Sequence, residues 1–101
     1  MRSGPVRVSY VSVLGAQPQL AFAIGRRFGN AVTRNRARRR LQAAFHSAWE
    51  ASPGAPTGAY LMMADRAVLT VPFSGLEQAV RSCLAKVEER VAGPVHRETA
   101  P

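Results

Sequence analysis

The sequence has little of the chemistry that stabilises small domains covalently or holds metal ions. Its 101 residues include one cysteine, Cys83, and two histidines, His46 and His96. A single cysteine excludes an internal disulfide and a cysteine-based zinc site, and it fits a reducing, cytoplasmic location. The chain must therefore fold on a hydrophobic core, and its length and 47% hydrophobic content suffice for one domain.

Acidic residues are absent from the first half of the chain. Residues 1–49 contain nine arginines and no acid, a formal charge of +9. The second half has four arginines and one lysine against six acids, and 5 − 6 gives −1. The first half is thus expected to meet a polyanion, while the second half serves as scaffold.

Long hydrophobic runs are also absent. No apolar segment approaches the ~20 residues that span a bilayer, so no membrane partner is expected. Hydrophobic periodicity instead predicts strands at residues 6–14, 20–25 and 59–64. The short glycine- and proline-containing loop between the first two strands favours an antiparallel hairpin.

Two helices complete the predicted order of strand, strand, helix, strand, helix. The first covers residues 30–49, with one apolar stripe of Ala37, Leu41, Ala44, Phe45, Ala48 and Trp49. The second follows a predicted capping box, Ser74 to Glu77, and its apolar stripe includes Cys83 as a buried small hydrophobe. We expect one α+β domain over residues 1–93, with a small sheet packed by helices, and a disordered tail over residues 94–101.

Seven of the thirteen arginines lie within residues 26–40. Steps of about 100° per residue place Arg36, Arg39 and Arg40 opposite the apolar stripe and Arg38 nearer its border. Arginine forks suit phosphate, so nucleic acid is the predicted partner. A merely solvated basic face and a membrane-surface helix are the competing interpretations; the missing acids disfavour the first, and the core's need for the apolar stripe disfavours the second.

No constellation of catalytic side chains accompanies these arginines. His46 and Glu50 are one helical turn apart, but no third ligand is adjacent, so a solvated pair is the preferred interpretation. Serine, histidine and aspartate are too scattered for a triad. We therefore assign no catalytic residue and no metal held by the protein alone.

Residues 29–41 read Gly-Asn-Ala-Val-Thr-Arg-Asn-Arg-Ala-Arg-Arg-Arg-Leu, preceded by Arg26-Arg27 and followed by Ala44-Phe45. This segment resembles the signature of the bacterial ribonuclease P protein component. The resemblance extends more loosely over residues 6–91, including Ala64-Asp65-Arg66. It implies an α-β-β-β-α-β-α fold, like domain 2 of ribosomal protein S5, with a left-handed strand–helix–strand crossover in place of the usual right-handed one.

The resemblance also implies a division of labour between protein and RNA. In the family, the RNA subunit performs Mg²⁺-dependent hydrolysis that removes the 5′ leader of precursor tRNA, and the protein binds this catalytic RNA and the leader. No protein partner is implied. The RNA-binding positions would be Arg26, Arg27, Arg34, Asn35, Arg36, Arg38, Arg39 and Arg40.

Val8 and Tyr10 fall where family members line the cleft for the single-stranded leader. Tyr10 could stack on a base, for about 1–3 kcal/mol, or it could be an ordinary core aromatic; the sequence leaves both open.

The sequence departs from the family pattern in two places. Because the first predicted strand starts within a few residues of Met1, we expect the family's basic N-terminal helix, one wall of the leader cleft, to be missing. Gln42 and Ala43 also stand where an arginine and an acid are usual. We therefore expect binding of the catalytic RNA to be better preserved than leader recognition.

Two alternatives to a processing subunit remain. One is a ribosomal-type structural RNA-binding protein, and the other is a domain that folds without supporting cleavage.

Overall fold

Four strands and two helices form the domain in a computed structural model, which describes residues 1–15 and 17–99, with side chains up to Val91. Two single-turn 3₁₀ helices lie at Arg26–Phe28 and Arg66–Leu69. The elements are β1 (Arg2–Ser3), β2 (Val6–Val11), β3 (Gln19–Ala23), α1 (Ala31–Glu50), β4 (Ala59–Ala64) and α2 (Phe73–Thr99). The predicted α+β class and element order are confirmed, and the short strand β1 is an addition.

The sheet has the order β1-β2-β4-β3, so the predicted hairpin between the strands at residues 6–14 and 20–25 is wrong. Strand β4 lies between them, antiparallel to β2 and parallel to β3. The loop from residue 12 to residue 18 is long enough to cross two strand spacings, about 10 Å. The apolar β4 gains a partner on both sides, as suits a buried central strand.

The parallel pairing of β3 and β4 makes α1 the crossover between them. The left hand of that crossover stays a prediction. Both helices pack on the same face of the sheet. Burial along β2 alternates accordingly, because Val6 and Val8 are buried on that face while Arg7 and Ser9 are exposed on the other. One face of the sheet is thus covered by helices, and the other faces solvent.

Helix α1 begins and packs as the sequence predicts. The Asn30 side chain caps it by accepting a hydrogen bond from the Thr33 amide at 2.9 Å. The predicted apolar stripe is buried except at Trp49, which is half-buried. Phe45 lies at its centre, with its ring 5.8 Å from Trp49 and 5.3 Å from Tyr60 of β4. This aromatic group joins α1 to the middle of the sheet.

Helix α2 starts at Phe73, one residue before Ser74, and the predicted capping box is wrong. The Glu77 carboxylate accepts a hydrogen bond from Ser47 Oγ at 2.9 Å and lies 3.6 Å from Arg81 Nη1. A contact with α1 has replaced the local cap, because Glu77 faces the neighbouring helix.

The apolar stripe of α2 is buried from Leu76 to Val87, and the prediction for Cys83 is confirmed: its side chain is fully covered. Burial raises the pKa of the Cys83 thiol, which keeps it protonated and unreactive. Side chains beyond Val91 and residues 100–101 lie outside the described part of the chain. The prediction of a disordered tail over residues 94–101 is therefore untested, although the bounds of α2 extend to Thr99.

Gly58 provides a test of the packing between β2 and the start of β4. Its φ is +150°, and a Cβ there would lie 2.6 Å from Tyr10 Cε1 and 2.7 Å from the Val11 carbonyl oxygen. We expect Gly58→Ala to lower the free energy of unfolding by about 2 kcal/mol or more, through backbone strain and overpacking.

The matched control is Gly25→Ala, since Gly25 has a φ of −79° and no atom lies within 4 Å of the position that its Cβ would take. Urea denaturation should leave the Gly25 variant near the wild type. Equal stability of the two variants would contradict the packing described for Gly58.

Candidate nucleic-acid interface

The segment between β3 and α1 turns the chain while keeping two arginines exposed. Arg26 and Arg27 occupy a 3₁₀ turn whose third residue, Phe28, is 4% exposed and anchors the turn in the core. Gly29 follows with a φ of +112°, a conformation that favours glycine. Asn30 then caps α1. An apolar anchor and a glycine therefore fix the basic pair at the start of the arginine-bearing helix.

Arg66, from the turn after β4, holds this segment in place. Its Nη1 donates to the carbonyl oxygen of Phe28 at 2.8 Å and approaches that of Arg27 at 3.3 Å. The two carbonyls belong to the residues that end the 3₁₀ turn, so one guanidinium satisfies backbone acceptors that the short turn leaves open. Local sequence patterns gave Arg66 no such role, because 38 residues separate it from Phe28.

The first half of α1 presents three exposed guanidinium groups, those of Arg36, Arg38 and Arg39. Arg36 and Arg39 lie opposite the apolar stripe, as predicted. Arg38 is also exposed, and its Nη1 donates to Asn35 Oδ1 at 3.1 Å. We call Arg26, Arg27, Arg34, Asn35, Arg36, Arg38 and Arg39 the arginine face.

The arginine face includes a shallow concavity of about 380 Å³. Val32, Asn35, Arg38 and Arg39 line it. Arg34 is half-buried, and its position seven residues before Leu41 is on the side of the helix that carries the apolar stripe. The surface combines amide, guanidinium and apolar groups within two helical turns, a mixture suited to a nucleotide's phosphate and sugar.

Arg40 does not lie with the other arginines, and its predicted solvent-facing position is wrong. It is half-buried; its Nη2 donates to the Val71 carbonyl oxygen, and its Nε is buried without a partner. Ser47, two helical turns further on, likewise bonds Glu77 of α2. Helical spacing predicted a single buried side of α1, that of the apolar stripe. The segment from Arg66 to α2 covers a second side.

No carboxylate of the described residues pairs with the arginine face. In the portion of the chain that the structure describes, the one ion pair within 4.0 Å joins Arg81 to Glu77, away from α1's arginines. The first turn of α1 also contains no acidic residue. The face therefore carries a positive field that an external anion can neutralise.

Val8 and Tyr10 both lie on the helix-covered side of β2, not on an accessible strand face. Val8 is 1% exposed and belongs to the core, so it contributes little surface to the groove that it lines with Tyr10. Tyr10 is half-buried; its hydroxyl donates to the Thr57 carbonyl oxygen at 2.6 Å, and its ring lies 4.9 Å from that of Tyr60. Strand alternation, set by the pairing of β2 with β4, decides this placement. The exposed β2 positions are Arg7, Ser9 and Val11.

The side chains with metal-binding chemistry are dispersed over the described residues. His46 and Glu50 are both exposed on α1. No group of three histidine, cysteine, aspartate or glutamate side chains among those residues comes close enough to hold a metal ion. Neither helix, over the same residues, has the length and hydropathy needed to cross a bilayer.

The fold and the exposed arginines of α1 define a small basic α+β domain with a surface suited to a polyanion. A family model described as Ribonuclease P matches residues 1–88. The ribonuclease P protein component of Symbiobacterium thermophilum is 37% identical over 102 residues, covering 96% of this chain and 82% of that protein. This chain therefore belongs to the ribonuclease P protein family.

Further comparisons agree with this assignment. The ribonuclease P protein component of Brucella suis is 39% identical over 82 residues, covering 78% of this chain but 56% of that protein. The solved structure of the Staphylococcus aureus RNase P protein matches with a TM-score of 0.59 at 14% identity, over 82% of this chain and 73% of that one. The structural match confirms the α+β fold.

Arg39 and Arg40 are adjacent in sequence but differ in their contacts, which makes them a matched pair. Arg40→Ala removes a charge-assisted hydrogen bond to Val71 and should lower the free energy of unfolding by about 1–2 kcal/mol. Arg39→Ala removes an exposed side chain and should change stability by less than about 0.5 kcal/mol. Urea denaturation of both variants checks the difference, and equal stabilities would refute the placement of Arg40.

Proposed function

We propose that this chain is the protein subunit of ribonuclease P and binds the catalytic RNA through the arginine face. The observation that carries the proposal is the row of exposed guanidinium groups on α1, unpaired with any acid in the described residues, within a chain of the ribonuclease P protein family. A polyanion that binds this surface would neutralise its positive charge.

The contacts follow from guanidinium chemistry. Arg36, Arg38 and Arg39 each offer a planar fork that matches two phosphate oxygens. The Asn35 side chain fixes the Arg38 fork at 3.1 Å, which reduces the side-chain entropy lost on binding. Each phosphate neutralised releases counterions, so affinity falls steeply with salt.

The protein's residues do not form a resident magnesium site within the described part of the chain. The acids there are dispersed: Asp65 caps the Ala67 amide at 2.9 Å, and Glu77 is engaged by Ser47 and Arg81. We therefore assign the Mg²⁺ required for hydrolysis to the RNA subunit and derive no chemical step on the protein. The protein's part is to neutralise phosphate charge and to position RNA.

Binding of the precursor tRNA leader is proposed for the groove beside Tyr10. This groove has a volume of about 230 Å³ and is lined by Met1, Val8, Tyr10 and Arg90 among others. Only the exposed part of the Tyr10 ring is available for stacking there. Because that ring is held by Thr57 and Tyr60, base stacking would use a fixed platform.

Reconstitution with a bacterial catalytic RNA tests the function directly. The wild-type protein should restore cleavage of precursor tRNA at low Mg²⁺. Arg36→Glu with Arg39→Glu should abolish that rescue and leave the circular dichroism spectrum unchanged, because both side chains point to solvent. Arg36→Lys with Arg39→Lys keeps the charge but loses the forks, and should retain part of the activity.

Two results would contradict the proposal. RNA binding by the wild-type protein without any rescue of cleavage would favour the ribosomal-type structural role. Loss of helix content in the glutamate variant would refute the position of Arg36 and Arg39 on the exposed face.

Arg66 should act on RNA binding through the basic pair that it holds. We expect Arg66→Ala to weaken binding of the catalytic RNA about fivefold to tenfold, because the Arg26–Phe28 turn loses the hydrogen bonds from the Arg66 guanidinium. In a background of Arg26→Gln with Arg27→Gln, the same substitution should have little further effect. Filter binding of the four proteins completes the double-mutant cycle, and full additivity would show that Arg66 does not act through the turn.

A further inference from the structure

A second group of cations lies at the edge of the sheet formed by β1. Arg2 of β1 and Arg7 of β2 are direct cross-strand partners, and both are exposed. Lys86 of α2 donates from Nζ to the Arg2 carbonyl oxygen at 2.7 Å, which brings its ammonium to the same edge. Arg90 lies one helical turn beyond Lys86, is exposed, and also lines the groove beside Tyr10. We call Arg2, Arg7, Lys86 and Arg90 the β1-edge cluster.

The acids of α2 do not neutralise this cluster. Among the described residues none of its members has a carboxylate within 4.0 Å. Glu77 is bound to Ser47 and Arg81, and the Glu88 carboxylate lies beside Gly54, in the loop after α1. Glu89 is exposed and forms no ion pair with any other described residue.

The Arg2–Arg7 pair itself is unfavourable for folding. Like charges directly opposite each other on neighbouring strands destabilise a sheet, and their side chains project from the same face. No carboxylate of the described residues offsets this repulsion. An anion that binds between the two guanidinium groups would convert the repulsion into attraction.

The β1-edge cluster is separate from the arginine face. Arg2 of β1 and Arg7 of β2 lie three and two strand spacings from β3, about 14 and 10 Å, and the arginine face begins in the turn after β3. Both separations exceed the Debye length of about 8 Å at physiological salt. Each surface therefore attracts anions independently, and one phosphate group cannot contact both.

We propose that the β1-edge cluster is a second RNA-binding surface, which holds phosphodiester groups of a segment other than the one on the arginine face. Arg2 and Arg7 supply forks for phosphate oxygens, and Lys86 adds a compact charge beside them. The inference rests on the proposed function. The catalytic RNA and the precursor tRNA offer the same phosphodiester chemistry, so the segment is identified by experiment.

The test compares salt dependence in the whole 101-residue chain. Arg2→Gln with Arg7→Gln removes two phosphate contacts and should lower the slope of log affinity against log salt by about 1.4 to 1.8. A fourfold rise in salt should then weaken wild-type binding about tenfold more than it weakens the variant's binding. Arg2→Lys with Arg7→Lys keeps both charges and should keep the wild-type slope.

Two arms identify the RNA segment. A lower slope for the catalytic RNA alone assigns the surface to that RNA. A lower slope only when the assembled enzyme binds precursor tRNA, and not for mature tRNA without a leader, assigns it to the precursor. Either result supports the proposal. Arg81→Gln removes a charge outside both surfaces and sets the background.

The proposal is overturned if the glutamine variant keeps the wild-type slope in both arms. Charged residues on an edge strand also deter pairing between sheets, so self-association of this variant with unchanged RNA binding would assign the cluster to that role instead. Failure of the wild-type protein to bind the catalytic RNA would instead refute the proposed function. Circular dichroism of each variant confirms that it is folded.

Discussion

Helix α1 must bury one side in the core and keep its other side in water, and the rest of the structure depends on this constraint. Its apolar stripe fills the centre of the core, where Leu41 and Phe45 are almost fully covered. Its other side carries guanidinium groups whose burial without partners would cost several kcal/mol each. The helix can therefore pack in only one rotation about its axis. That rotation directs Arg36 and Arg39 outward.

The position of α1 along the chain depends on contacts from distant segments. Phe28 anchors the turn that precedes the helix, and Arg66 bonds the turn's carbonyls from beyond β4. Arg40 bonds the Val71 carbonyl, and Ser47 bonds Glu77. These contacts lie along the flanks of α1 rather than on its apolar stripe. They fix the helix against the second half of the chain. The nearly neutral second half therefore supports the basic surface of α1.

Sequence patterns were reliable where local chemistry decides the outcome. Periodicity predicted α1, β4 and the buried position of Cys83, because a stripe of apolar side chains can be buried in only one way. Patterns failed where the partner is remote. The hairpin was wrong because β4 separates β2 from β3, and the capping box was wrong because Glu77 binds Ser47 of α1. The same limit explains why helical spacing predicted an exposed Arg40 and why no local pattern indicated the structural role of Arg66.

The sequence by itself determined that this is a basic α+β domain whose arginine-rich helix has a core side and a solvent side, since composition and period are properties of the chain alone. Only the tertiary structure decided which arginines are free: Arg40 is bound to Val71, and Arg38 is exposed. It also brought Arg2, Arg7 and Lys86 together at the β1 edge. The reason is physical. Hydrogen-bond partners and strand neighbours are set by which surfaces meet on folding, and residues many positions apart supply them.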